Sequence, residues 1–248
     1  RAHTSIVGIA KFLPAYAGGR LQAEVAALEQ VRDRAKRPLM AVFGGAKVHE
    51  KTHLMISLAS QAEALLVGGV IANTIWRLQK KSIGKSAYDK KPPLKELKRL
   101  MKQKRGKHPL LVLPVDVVVA KNLKSPPRVV NLENGESVLK SETIYDIGPR
   151  TMGLFASYLR TARTIIWNGP MGLIEEKKFR HGSLAVARVV ASRSCGPAFT
   201  LVGGGESAQV LEAAQAGNDV DWRSTGGGAM LAFLAKKPMP GLKPLFKK

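Results

Sequence analysis

The stretch TIIWNGPMGLIE (residues 164–175) decides how the chain reads: an apolar, β-type run stops at an Asn-Gly-Pro-x-Gly turn and passes into a polar segment opening with Glu175 and Glu176. In an open parallel sheet, ligands sit beyond the carboxyl ends of the strands. A strand that ends this way offers backbone groups and one side-chain amide to a small molecule. The pattern recurs in PLMAVFGGAKV (38–48), ALLVGGV (64–70) and AFTLVGGGES (198–207), all short apolar runs that break into glycines, and STGGGAMLAFLA (224–235) sets three glycines before a helix-like segment. One such turn carries little weight, whereas four or five in one chain describe a nucleotide site.

Composition bounds the rest. With 248 residues, 45% of them hydrophobic, the chain can bury one large core, since domains tend to split only near ~250 to 300 residues. One main domain with appendages is expected. No run approaches the ~18 apolar residues of a membrane span, and no signal-peptide pattern is present. The expectation is a soluble, non-secreted protein of the cytoplasm or an organellar matrix, with no membrane partner. Cys195 is the sole cysteine, which leaves no disulfide framework or thiolate metal site and suits a reducing compartment. A start at Arg1 rather than Met fits a processed or partial chain. Lys and Arg total 40 against 18 acidic residues, a formal charge of +22, and a surplus this large speaks of partners and solubility rather than fold. Half of it falls between Arg77 and Lys107, where thirteen bases face only Asp89 and Glu96.

Taken in order, residues 1–19 form a mixed apolar piece whose Ile6, Val7, Ile9, Phe12 and Leu13 would want a partner surface. Leu21, Val25, Leu28 and Val31 at helical spacing predict an amphipathic helix, followed by a charged linker. From Pro38 to about Ala235 the order is strand, glycine turn, helix, repeated. Helices are expected over 54–66, 71–78, 94–101, 151–160, 184–191 and 226–235. LLVLPVDVVV (110–119) reads as one strand buried on both faces, residues 126–141 as an irregular or short-stranded excursion, and the Pro-rich tail 236–248 as extended. Alternating βα units of this kind imply an α/β fold, a doubly wound, Rossmann-like parallel sheet in three α/β/α layers with right-handed crossovers.

The candidate chemistry follows from the turns. Backbone amides freed at a glycine turn and aimed by a helix N-terminus bind phosphate oxygens, and a nearby Lys adds a point charge. Lys47 follows Gly44-Gly45-Ala46 and Lys51 lies four residues on, so on a helix both project to one side. Alone they read as two surface lysines after a tight turn, but beside the other glycine turns they fit a polyphosphate. Asn168 by itself is ordinary turn chemistry. Glu206 is either a carboxylate favoured by a helix dipole or a ligand for nucleotide-bound magnesium, which prefers one or two carboxylates plus phosphate oxygens.

At this point the residues carry a resemblance. GGAKV (44–48), VGG (67–69), LPVDVVVA (113–120), DIGPRT (146–151), WNGPMG (167–172), GGGES (203–207) and STGGGA (224–229) together resemble, in order and spacing, the motif set of the carboxyl-terminal, nucleotide-binding half of phosphoglycerate kinase. The resemblance implies Mg-ADP or Mg-ATP as cofactor and a usually monomeric enzyme moving a phosphoryl group between 1,3-bisphosphoglycerate and ADP in glycolysis. Carried over by motif, Lys47 and Lys51 contact the phosphates, while Gly44, Gly45, Ala46, Gly68 and Gly69 line the cleft. Asn168, Pro170, Gly172 and Leu173 form a pocket wall, Glu175 bonds the ribose hydroxyls, and Glu206 with Ser207 takes the Mg-nucleotide position. Lys47, Gly205 and Gly226, Gly227 and Gly228 face the transferring phosphoryl group, where catalysis is mostly positioning and charge stabilisation. Arg1 matches an arginine that helps hold the phosphate of the three-carbon acid.

The same resemblance divides the chain into a remnant of the amino-terminal phosphoglycerate-binding domain (1–19), an interdomain helix and linker (20–37), the nucleotide-binding domain (38–235) and a basic tail (236–248). It also sets out departures. Glu206 stands where the family usually has Asp, Val70 stands where a third glycine is usual, and most of the amino-terminal domain is missing. The chain alone is therefore expected to bind nucleotide and turn over 1,3-bisphosphoglycerate or 3-phosphoglycerate only if that domain is supplied. Two alternatives stay open. One is a kinase-derived basic domain reused in a ribonucleoprotein such as an organellar ribosome, with Lys98, Arg99, Lys102 and Arg105 gripping RNA or another polyanion. The other is a bare nucleotide-binding regulatory module.

Overall fold

A computed structural model describes residues 2–106 and 108–246, without the side chains of Arg105, His108, Pro109 and Phe246. Nine strands define the frame: β1 Leu39–Phe43, β2 Ala64–Val67, β3 Leu111–Val112, β4 Asp116–Ala120, β5 Arg128–Asn131, β6 Thr143–Ile147, β7 Thr164–Asn168, β8 Phe199–Gly203 and β9 Trp222–Ser224. Six of them form one sheet in the order β9-β8-β7-β1-β2-β3, every pair parallel. The order reverses between β1 and β7, which is the topological switch point of a doubly wound sheet. β1 and β7 are buried at every residue, as expected of parallel strands covered on both faces.

Alternation along β1 divides the core into two layers. Leu39, Ala41 and Phe43 point into one cluster, shared with helices α1 (Gly19–Asp33), α2 (Val48–Leu58), α3 (Gly69–Leu78) and α4 (Leu94–Lys102). Met40 and Val42 point into the other, with α5 (Pro149–Thr161), α6 (His181–Ser194) and α7 (Gly205–Ala213). A last helix, α8 (Gly228–Leu234), returns to the first layer. The expected α/β/α sandwich is the fold. Among the described residues no helix is long and apolar enough to cross a membrane.

Three local expectations need correction, and one strand is added. The run 110–119 is two strands rather than one: the chain leaves the parallel sheet after Val112, passes Pro114, and re-enters order in a second, antiparallel sheet, β5-β4-β6. The reason is Asp116, whose buried carboxylate accepts from Arg150 N (3.0 Å) and Thr151 N (2.8 Å) and so caps α5. The helix placed over 54–66 occupies Val48–Leu58 instead, and closes with Ala62 N on Leu58 O at 2.8 Å so that the chain can turn into β2. The three residues of β9 were not anticipated; they pair with β8 at the sheet edge. The tail is not simply extended either: it turns at Met239, enters a 3-10 turn at Lys243–Phe246, and packs Met239 and Leu242 on the core. Near the amino terminus, Phe12 and Tyr16 are each 85% exposed and Leu13 60%.

Candidate functional site

Register explains why the glycine turns converge. Val67, Phe43, Asn168, Gly203 and Ser224 are Cα partners in one row across β2, β1, β7, β8 and β9. Each strand therefore runs out of sheet at the same height, and the loops that follow meet along one edge. The turns then lock onto each other. Gly44 N donates to Asn168 O (3.2 Å), Gly45 N to Pro170 O (2.8 Å) and Gly68 N to Phe43 O (2.8 Å). Asn168 Nδ2 donates to Gly203 O (2.8 Å), and Gly169 N to Ser207 Oγ (2.7 Å). The expectation that the amides of Gly44, Gly45 and Gly68 are free for phosphate is thus overturned, because all three are spent on neighbouring turns. Glycine is needed there for close approach. At Gly169, with φ +97°, an added Cβ would fall 2.5 Å from Lys51 Nζ.

Helix starts, rather than those glycine amides, supply the free donors. Helices α2, α3 and α7 begin directly after the row, and none has a side-chain cap. First-turn N–H groups without intrahelical partners attract anions, aided by the helix dipole. α5 receives the Asp116 carboxylate on Arg150 N and Thr151 N. Backbone N–H groups at such starts suit an anion.

Lys47 and Lys51 divide the labour differently from the expected pair on one helix face. Lys47 is the N-cap of α2, with non-helical φ −81° and ψ 73°, and is exposed. Lys51 is inside the helix and 4% exposed, its Nζ donating to Gly44 O at 2.5 Å. Burial pushes the Lys51 ammonium down to about 8, the Glu206 carboxylate pulls it back up, and Lys47 adds to the depression. A Cβ on Gly45 would lie 3.1 Å from Lys51 Nζ and 3.2 Å from Glu206 Oε2, so that glycine keeps the two charges in one hollow.

The hollow, of about 290 Å³, is lined by Gly45, Ala46, Gly69, Pro170, Gly172, Leu173, Glu175 and Glu206 from the expected set. Asn168, Ser207, Gly44 and Gly68 stand behind it and hold its turns. Gly205 opens α7 beside Glu206. Gly226, Gly227 and Gly228 do not line it; they follow β9, where a Cβ on Gly228 would come within 3.8 Å of Glu50 Oε2, next to Lys51 in sequence. Val70 is part of the wall. Arg1 and the Arg105 side chain lie outside the described residues.

Several site residues were missed. Asn73, Thr143 and Tyr145 also line the hollow. Asp146 lies under its floor: it accepts from Gly182 N (2.8 Å) and Ile147 N (2.9 Å), and burial, partly offset by these donors, pushes its carboxyl up to about 7. Ser183 Oγ accepts from Met171 N at 2.9 Å. Glu24 of α1, 8% exposed, accepts from Trp222 Nε1 (2.9 Å) and from the Ser224 hydroxyl, and Gly226 N donates in turn to Ser224 Oγ (3.2 Å). The glycine loop after β9 is thereby tied to α1. DIGPRT had displayed Asp146, but only as a motif member.

A parallel sheet with a hollow at the strand-order reversal, lined by the starts of α3 and α7 with Lys51 buried behind Gly45, defines a doubly wound α/β domain. The family model of phosphoglycerate kinase matches residues 1–237. The phosphoglycerate kinase of Moorella thermoacetica is 40% identical over 252 residues, covering 100% of this chain and 62% of that one. That of Herpetosiphon aurantiacus is 38% identical over 247 residues, covering 99% and 61%. The solved phosphoglycerate kinase of Coxiella burnetii superposes with a TM-score of 0.87 at 37% identity over 99% of this chain and 62% of that one, and that of Pyrococcus horikoshii with 0.83 at 30% identity, covering 99% and 60%. The chain belongs to the phosphoglycerate kinase family, and it spans about three fifths of the length of these relatives.

Proposed function

We propose that the hollow at the β1–β7 switch point binds Mg-ADP or Mg-ATP, and that it serves phosphoryl transfer between 1,3-bisphosphoglycerate and ADP. The observation that carries this is the meeting of Lys51, Glu206 and the uncapped starts of α2, α3 and α7 at one edge. The polyphosphate lies toward Lys47 and Lys51, and the base and ribose lie in the apolar hollow with Glu175 at its mouth. Among the described residues no group of three or more His, Cys, Asp or Glu could hold a metal ion. Glu206 would hold the magnesium ion of a bound Mg-nucleotide together with phosphate oxygens, the kind of donor set this cation prefers. The ion would neutralise phosphate charge during transfer. Gly226 to Gly228 would face the transferring phosphoryl group and Arg1 the three-carbon acid, roles carried over from the motif resemblance.

The test is calorimetry with ADP and magnesium. Micromolar to sub-millimolar binding is expected, weakened in Lys47→Ala; absence of binding refutes the site. Turnover measured for the chain alone, and with the amino-terminal half of a relative added, separates binding from catalysis. A second reading concerns α4. Leu97 and Leu100 are buried while Lys95, Lys98, Arg99 and Lys102 are exposed, so the helix presents an unbroken basic face to solvent that suits RNA.

A further inference from the structure

Segment 87–91 is strapped along α3 and delivered to the start of α2. Asn73 Nδ2 donates to Ala87 O (3.0 Å) and Asp89 N to Thr74 Oγ1 (3.0 Å), both partners lying on α3. His49 Nε2, in the first turn of α2, then donates to Lys91 O at 2.6 Å. Pro92 and Pro93 stiffen the step into α4, which packs against α2 and buries Leu97 and Leu100 in the core. On α4, Lys95, Lys98 and Lys102 recur at one-face spacing with Arg99 beside them, all four exposed on the side opposite those leucines. Lys90 and Lys91 are exposed as well, and no ion pair among the described residues takes up any of the six. Exposed Lys47, two residues before His49 at the N-cap of α2, closes the series. A basic track thus runs from the outer face of α4, across the strap, to the start of α2 beside the hollow.

We propose that this track binds the backbone of single-stranded RNA, and that RNA and Mg-ADP oppose each other where the track reaches α2. The inference rests on the nucleotide reading above and gives the basic face of α4 a path and an end. Lysines without acidic partners gain affinity by releasing the counterions of a polyphosphate backbone. A lipid surface fits less well, because α4 has committed Leu97 and Leu100 to the core and leaves only Leu94 exposed among its apolar residues. A single strand fits better than a duplex. Tyr88 in the strap is 37% exposed, with the Arg77 guanidinium 5.7 Å from its ring centroid, and so offers an unpaired base a surface on which to stack. Opposition follows from charge: RNA phosphates at Lys91 and a nucleotide polyphosphate at Lys47 lie within about the screening length of physiological salt, ~8 Å, and both draw on Lys47.

The experiment is fluorescence anisotropy of a labelled uridine oligoribonucleotide on the full chain across a salt series, with and without Mg-ADP, beside ADP calorimetry on the same preparation. Five or six phosphate contacts give a slope of log affinity against log salt of about −4. Lys90→Glu with Lys91→Glu, and separately Lys98→Glu with Lys102→Glu, should each weaken RNA about tenfold or more. Arg160→Glu with Arg163→Glu, exposed at the end of α5 in the other helix layer, makes the same change in charge and should cost less than about threefold. Saturating Mg-ADP should weaken RNA about threefold or more, and RNA should weaken ADP by the same factor. Equal losses from all three pairs would show bulk charge alone and overturn the track. Phosphatidylserine vesicles bound as tightly as RNA would overturn the choice of partner. ADP that binds without weakening RNA overturns the inference and leaves the nucleotide site standing, whereas absence of ADP binding removes both.

Discussion

Replacing Asp146 with Asn should flatten the pH dependence of stability over the acidic range. In the unfolded chain this carboxyl titrates near 3.8; in the folded protein burial holds it at about 7. The folded state therefore keeps a proton that the unfolded state has already lost. For a carboxyl shifted in this direction, stability is greatest below the unfolded value and falls as pH rises toward the folded one, then levels off. Each unit of difference is worth about 1.4 kcal/mol, so roughly three units give a limiting loss of about 4 kcal/mol between about pH 4 and pH 7. Asn is neutral throughout; its one carbonyl serves only one of the two donors, Ile147 N on Oδ1 and Gly182 N on Oδ2, a pH-independent cost that leaves the slope untouched. Urea unfolding of wild type and Asp146→Asn, repeated from about pH 4.5 to 8, gives a difference in free energy from which the other titrating groups cancel. That difference should move in favour of the variant by about 1 kcal/mol per pH unit and plateau above about pH 7. A flat difference, or one favouring wild type as pH rises, would show the carboxylate charged throughout and refute the reasoning.

Gly169→Ala should cost about 3 kcal/mol or more, combining a strained positive φ with overpacking against Gly44 O and Lys51 Nζ; an unchanged urea midpoint would contradict the turn packing described. Lys47→Ala should lower ADP affinity about tenfold with an unaltered melting temperature, because an exposed lysine contributes charge rather than packing. Lys51→Met should weaken ADP more than Lys47→Ala does, read by the same calorimetry, since it removes both a charge and the bond to Gly44 O. If α4 grips RNA, Lys98→Glu, Arg99→Glu and Lys102→Glu together should abolish binding and its salt dependence while leaving ADP affinity intact, as filter binding across a salt series would reveal.

The layered sheet was legible because parallel strands buried on both faces read as apolar runs, and their ends announced themselves as glycines in 38–48, 64–70, 164–175 and 198–207. The gathering of those turns along one sheet edge followed from that. What stayed hidden depends on partners distant in sequence. Asp116 looks like one polar interruption in an apolar run until it meets Thr151, 35 residues away, and only then does the split of 110–119 make sense. Glu24 reads as the polar face of an amphipathic helix, yet its partner Trp222 is 198 residues off. Asn73 gives no local sign at all. The glycines misled in one respect: they suggested free amides, whereas the structure uses them so that turns can touch.

The alignment of Val67, Phe43, Asn168, Gly203 and Ser224 in one row makes occupancy of the hollow an all-or-none report on the sheet. A slip of one residue in any strand would carry its turn away and invert its faces, so no partly registered sheet can keep a working cradle. Nucleotide should accordingly slow amide hydrogen exchange in β1, β7 and β8 to a common extent, and fragments that retain helices but lose one of these strands should bind nothing.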